Sequence, residues 1–162
     1  RVKEAIFSMI NFELEGRNVL DLFGGSGQMA LEALSRGAKS ATICDSNRDA
    51  VAVIKRNAQK TKLYEKTKIL SSDYKAAING CRTGEKFGIV FLDPPYGEYE
   101  MLMDSLDRIL RMDILSENAV VICESNKKEP IEIEGLRVRR FSRYGKVYIT
   151  VLTNAPEDPD EE

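Results

Sequence analysis

Asp93-Pro94-Pro95-Tyr96 follows the apolar run Phe87 to Leu92 directly. Two prolines fix φ and remove two N–H donors, so the carbonyls of this turn are rigid acceptors. Beside them stand a carboxylate, Asp93, and an aromatic ring, Tyr96. The set suits an exocyclic amine on a base or amide, whose lone pair is delocalised and therefore a poor nucleophile. Asp93 and the Pro94 carbonyl can hold its two N–H groups, favour a pyramidal nitrogen and aim the freed lone pair at an electrophile, a task of positioning more than of strong base catalysis. Tyr96 can stack on a base taken out of its helix, a contact worth roughly 1–3 kcal/mol. A plain proline turn ending a buried strand explains Pro94 and Pro95 but not their neighbours.

A second cluster supplies the electrophile. Gly24-Gly25-Ser26-Gly27 follows Asn18-Val19-Leu20-Asp21, and residues Gly25 to Ala30 read G-x-G-x-x-A. Asp45 ends the next strand about twenty residues later, the spacing of a dinucleotide fingerprint. Asp21 tips the choice: a carboxylate at the first strand's end repels a pyrophosphate but attracts the cationic amino group of S-adenosylmethionine. The expected cofactor set is therefore Asp21, Phe23, Gly24, Gly25, Ser26 and Gly27 at the turn, with Asp45 and Ser46 at the ribose. There the glycines admit the backbone and the helix N-terminus faces the donor's carboxylate. Asp73 is expected at the adenine amine, with Ser72 or Tyr74 supplying a backbone donor. The bland readings are a helix-leading acid for Asp45 and a plain N-cap for Asp73.

These residues need a scaffold. Val2, Ala5, Ile6, Met9 and Ile10 share one helical face, and strand and helix patterns then alternate through Val19–Asp21, Ala41–Cys44, Lys68–Leu70, Phe87–Leu92 and Ala119–Cys123. Ser46-Asn47-Arg48-Asp49 has the form of a capping box ahead of a helix to about Lys60, and Leu102, Leu106 and Leu110 mark one side of a later helix. After Pro130 the period falls to two, which reads as a closing hairpin around Tyr144-Gly145. The prediction is a Rossmann-like α/β fold: a seven-stranded, mostly parallel sheet, an antiparallel C-terminal hairpin and helices on both faces.

Asp21-Leu-Phe-Gly-Gly-Ser-Gly27, Leu31-Glu-Ala-Leu-Ser-Arg-Gly-Ala38, Asn57, Phe91-Leu-Asp-Pro-Pro-Tyr96 and Arg143-Tyr-Gly145 together resemble the RsmD-type methyltransferases, from Arg1 to about Leu152. The resemblance implies a class I methyltransferase fold and methylation of the N2 amine of one guanine in 16S ribosomal RNA, with the rRNA expected as substrate within a small-subunit assembly particle. Asp-Pro-Pro-Tyr alone is shared with adenine-N6 enzymes, so an adenine-N6 DNA methyltransferase and a non-catalytic RNA- or ribosome-binding module stand as alternatives. Family members begin with a basic strand pair and an Arg-Pro-Thr turn, so this chain, which starts at Arg1, reads as a trimmed piece. Asp45-Ser46 stands where Glu-Lys is usual, which keeps the carboxylate and loses a positive charge.

The chain has 162 residues, 24 Lys and Arg, 26 Asp and Glu and no His, which removes imidazole acid–base chemistry and histidine metal sites. Cys44, Cys81 and Cys123 form no CxxC pair, so no metal site is expected and the thiols read as reduced and mostly buried. A net charge of −2 disfavours RNA at first sight, but five acids lie in Asn154 to Glu162, leaving 24 basic residues against 21 acids, a net of +3, for residues 1–156. Arg137, Arg139, Arg140, Arg143 and Lys146 gather on the hairpin with Phe141, Tyr144 and Tyr148, a pattern suited to RNA or simply to a guarded sheet edge. The expectation is one domain over residues 1–153, an acidic disordered tail over 154–162, no membrane span, no obligatory oligomer and a cytoplasmic setting.

Overall fold

The computed structural model describes residues 2–159. Its strands are β1 (Asn18–Asp21), β2 (Ser40–Asp45), β3 (Thr67–Ser71), β4 (Phe87–Leu92), β5 (Leu115–Ser125), β6 (Arg137–Tyr144) and β7 (Val147–Thr153). Its longer helices are α1 (Val2–Ile10), α2 (Gln28–Ser35), α3 (Arg48–Lys60), α4 (Tyr74–Asn79) and α5 (Tyr99–Met112). The strands form one sheet in the order β3-β2-β1-β4-β5-β7-β6. Neighbours from β3 to β5 run parallel, and β7 runs antiparallel to both β5 and β6. The predicted fold class is observed.

Strand periodicity decides which residues meet which helices. Val19, Ile43, Ile89, Phe91, Val120 and Ile122 lie in one core with Ile6, Phe7 and Ile10 of α1, Leu31 of α2 and Ile54 of α3. Their alternates Leu20, Cys44, Val90, Leu92, Val121 and Cys123 pack with Ile78 of α4 and Leu102, Leu106 and Ile109 of α5. Every residue of β4 is buried, as a strand covered on both faces requires. No helix among the described residues is long and apolar enough to cross a membrane.

Three local expectations shift by a residue or more. The N-cap of α3 is Asn47, not Ser46: Asn47 is extended and its side-chain oxygen accepts from the amides of Asp49 and Ala50, whereas Ser46 sits one residue too early to reach them. On α5 the buried seam runs through Leu102, Ser105, Leu106 and Ile109, while Leu110 is half-buried. The chain does not leave the fold at once after β7, because the Asn154 side chain accepts from the Ala119 amide and donates to the Ser116 carbonyl. The expected tail residues Asp160, Glu161 and Glu162 lie outside the described residues.

An ion pair ties the far edge of the sheet to the short turn that follows α1. Arg139 on β6 meets Glu13 with both ends of its guanidinium, at 2.8 Å for Nη2 to Oε2, and also donates to the Met9 carbonyl. Bidentate pairs of this kind are the stronger class of surface contact. A double-mutant cycle with Glu13→Gln and Arg139→Met is expected to give a coupling of about 1 kcal/mol in urea unfolding. A coupling below about 0.3 kcal/mol would make the pair an idle contact.

Candidate active site

The chain turns away in opposite directions after β1 and β4, which are neighbours, so their carboxyl ends open a crevice where doubly wound sheets hold ligands. Register supplies the site's geometry. Asp21 of β1 stands opposite Phe91 of β4, and Phe91 stands opposite Ile122 of β5. Two residues further, on the same face, Asp93 and Glu124 become neighbours. Asp21, Asp93 and Glu124 line a cavity of 280 Å³ roofed by Val2, Lys3 and Ile6 of α1.

Crowding carboxyl groups into a poorly hydrated crevice moves their protonation. Asp21 is 3% exposed, and burial pushes its carboxyl up to about 7; the Phe23 amide, donating at 3.1 Å, opposes this, while Asp93 and Asp45 add to it. Glu124 is also held well above the usual carboxylate range, first by burial and then by the neighbouring charge of Asp93. Sequence reasoning missed Glu124. The signal was present: Val120, Ile122 and Glu124 alternate on one face, and an acid replaces the apolar residue at the strand's carboxyl end.

The glycine turn is shaped by close approach and bolted from both sides. Gly24 donates to the Cys44 carbonyl at 2.8 Å, and a Cβ there would lie 2.5 Å from an Ile43 methyl. Gly27, at φ +83°, begins α2 in a left-handed conformation that side chains resist. Asp45 accepts from the Gly25 amide with one oxygen and from the Asn47 amide with the other, both at 2.9 Å. Asn57 on α3 donates to the Ser26 carbonyl.

Next to this turn lies a second hollow of 630 Å³, lined by Phe23, Asp45, Ser46, Asp73, Tyr74 and Pro95 among others, and sharing Phe23, Gly25 and Asp93 with the first. Asp73 lines it while capping α4 with one carboxylate oxygen on the Ala76 amide. Tyr74 packs its ring on Phe23 and donates its hydroxyl to Asp104 at 2.6 Å, and burial with that contact pushes the phenol up to about 12. Of the two backbone donors expected beside Asp73, the Ser72 amide donates to the Asp45 carbonyl, and Ser72 lines a different hollow with Ala76 and Cys81, whereas Tyr74 lines this one.

Of the Asp93–Tyr96 turn, Asp93 lines both hollows and Pro95 lines the larger one. Pro94 is buried and extended, and Tyr96 is left-handed at φ 56° with 96% of its surface exposed. A non-glycine residue held there costs about 1–2 kcal/mol, strain of the kind found at ligand clamps. The basic hairpin divides. Arg139 is committed to Glu13, and Arg137 donates to the carbonyls of Ala155 and Pro156, so these two serve the fold before any ligand. Arg140, Arg143 and Lys146 are exposed. Phe141 and Tyr148 stack on one another at 5.8 Å rather than standing open for bases.

Against known proteins, the family model described as Conserved hypothetical protein 95 matches residues 1–153. YlbH of Bacillus subtilis, provisionally named an rRNA methyltransferase, is 31% identical over 154 residues, covering 93% of this chain and 83% of that protein. Ribosomal RNA small subunit methyltransferase D of Haemophilus influenzae is 28% identical over 132 residues, 81% of this chain and 68% of the relative. A solved Streptococcus pyogenes structure, described as a conserved hypothetical protein, superposes with a TM-score of 0.86 at 36% identity over 94% of each chain.

The buried Asp21 makes stability depend on pH in a definite sense. Its folded-state value lies above its unfolded one, so the folded protein binds the extra proton and loses stability as pH rises from 3.8 through about 7. Asp21→Asn keeps the acceptor for Phe23 and removes the titration. Thermal unfolding of the two proteins is expected to agree at pH 4 and to diverge in favour of the variant by pH 8. A difference that stays constant over this range would contradict the assignment.

Proposed function

The chain belongs to the Conserved hypothetical protein 95 family, the RsmD-type methyltransferases, and from that premise we propose that it methylates the exocyclic N2 amine of a guanine in 16S ribosomal RNA, with S-adenosylmethionine as methyl donor. One observation carries the reading: the buried Asp21, the glycine turn bolted by Asp45, and Asp93 of the Asp-Pro-Pro-Tyr turn border one continuous crevice.

The residues present fit the donor. Asp21 offers a buried anion to a cationic amino group, and that cation in turn lowers the cost of ionising it. Each oxygen of Asp45 keeps a lone pair after serving Gly25 and Asn47, so both remain able to accept from ribose hydroxyls. The larger hollow, with Asp73 at its far wall and the Phe23 and Tyr74 rings beside it, has the volume and apolar surfaces a purine needs.

When bound, S-adenosylmethionine supplies an electrophilic sulfonium methyl group. Asp93 and the Pro94 carbonyl accept the two N–H groups of the target amine and hold the nitrogen lone pair towards that methyl. Asp93 would take up the surplus proton that the target nitrogen sheds on accepting the methyl group. N2-methylguanine and S-adenosylhomocysteine leave. The exposed Tyr96 stacks on the extruded base. Arg140, Arg143 and Lys146 contact the RNA backbone.

Labelled methyl transfer to small subunits from cells lacking the enzyme, followed by nucleoside analysis, is expected to yield N2-methylguanine. Asp93→Ala should lower transfer at least about 100-fold while S-adenosylhomocysteine still binds with a micromolar Kd, about −8 kcal/mol by calorimetry. Tighter binding of NAD, label recovered as N6-methyladenine in DNA, or RNA binding without transfer would each defeat the proposal. Replacing Arg140, Arg143 and Lys146 together by Ala should weaken binding to the subunit about tenfold and flatten its salt dependence, with cofactor affinity unchanged.

A further inference from the structure

Glu124 is an acid of the crevice that neither the donor-binding set nor the amine-holding turn accounts for. It follows Ile122 on the crevice face of β5 and lines the same cavity as Asp21 and Asp93. Two such acids side by side repel one another when both are ionised, unless a proton is shared between them. A base edge presenting two adjacent N–H donors meets the same pair of acceptors with no shared proton, one donor for each carboxylate.

Purine and pyrimidine edges differ in this respect. Beside its exocyclic N2 amine guanine carries N1–H, a second donor. Beside the N6 amine of adenine and the N4 amine of cytosine lies a ring nitrogen with a lone pair, an acceptor that a carboxylate repels. Two carboxyl groups side by side therefore complement guanine and oppose the other two amines. Lys3 of α1, which also lines the cavity, is engaged with Glu32 at 3.4 Å.

Resting on the amine-methylation reading above, we propose that Glu124 is a specificity-determining residue that accepts N1–H of the target guanine while Asp93 and the Pro94 carbonyl hold the adjacent N2 amine. Selectivity then comes from the base's donor–donor edge, read by two neighbouring strands of the sheet, rather than from the amine alone. Sites built to accept a substrate N–H reject analogues lacking it strongly, because the acceptor is left facing a lone pair.

The test uses small subunits reconstituted with rRNA carrying, at the position methylated by the wild type, either guanine or 2-aminopurine. The analogue keeps the amine at C2 but presents N1 as an acceptor. Wild-type kcat/KM is expected to favour guanine by at least about 100-fold. Glu124→Gln, whose amide can turn its NH2 group towards N1, should lose activity on guanine, gain on 2-aminopurine and bring the ratio to within about threefold. Glu124→Asp, which keeps acceptor chemistry on a shorter arm, should lose rate but retain the preference; S-adenosylhomocysteine binding reports that each variant is folded. Equal losses by Glu124→Gln on both substrates would make Glu124 a buttress of Asp93 and overturn the inference. A wild type that uses both bases equally overturns it while leaving the methyltransferase reading intact, whereas a wild type silent on guanine RNA overturns both.

Discussion

The architecture turns on a concentration of negative charge where the chain departs in opposite directions from two adjacent parallel strands. Asp21, Asp93 and Glu124 belong to three neighbouring strands and reach one small cavity, and like charges in a poorly hydrated space repel strongly. The protein alone meets this by holding protons on carboxyl groups that would ordinarily have released them. In the proposed reading, a cationic methyl donor and a base edge rich in N–H groups relieve the same repulsion by bringing positive charge and hydrogen-bond donors. The site is thus costly to hold without a ligand and complementary to a particular kind of ligand, which is the usual electrostatic signature of a functional centre.

The rest of the fold holds that arrangement in place. α1 closes the crevice over the cavity while burying Ile6, Phe7 and Ile10 in the core beneath, so the cover is anchored by the same packing that stabilises the sheet. Asp45 and Asn57 fix the glycine turn through its backbone. Gly24 tolerates no side chain because the β2 backbone and Ile43 already occupy the space. The strained Tyr96 is held by the prolines before it.

Charge at the sheet edge is divided between structure and surface. Arg139 and Arg137 spend their guanidinium donors on Glu13, the Met9 carbonyl and the chain after β7. Arg140 and Arg143 make local contacts, to the Ser142 hydroxyl and the Gly145 carbonyl, and with Lys146 lie exposed at the surface. A basic stripe in a sequence therefore overstates the basic surface, since arginine's fork of donors is equally suited to capping carbonyls inside a fold.

Much of the scaffold was legible because its signals are local. Alternation of short apolar runs with helical stripes identifies Asn18–Asp21, Phe87–Leu92 and the closing hairpin, and Asp21, Gly24 to Gly27, Asp45 and Asp93 to Tyr96 announce themselves by type and spacing. Where several residues compete for one local task, the pattern misled: Asn47 rather than Ser46 caps α3, because φ and ψ at that position decide which oxygen reaches the free amides. Ser72 looked available and is used by the β2–β3 ladder. Glu124 was invisible as a neighbour of Asp93, although both are plainly acidic, because their adjacency arises only from parallel pairing of β4 with β5, which brings together residues 31 apart in sequence, as with Phe91 and Ile122. The sequence by itself determined the fold class and displayed the glycine turn and the Asp-Pro-Pro-Tyr tetrapeptide, since each is encoded within a few residues. Tertiary structure alone decided which acids share a cavity and which arginines face solvent, because strand register and long-range ion pairs depend on every element between them.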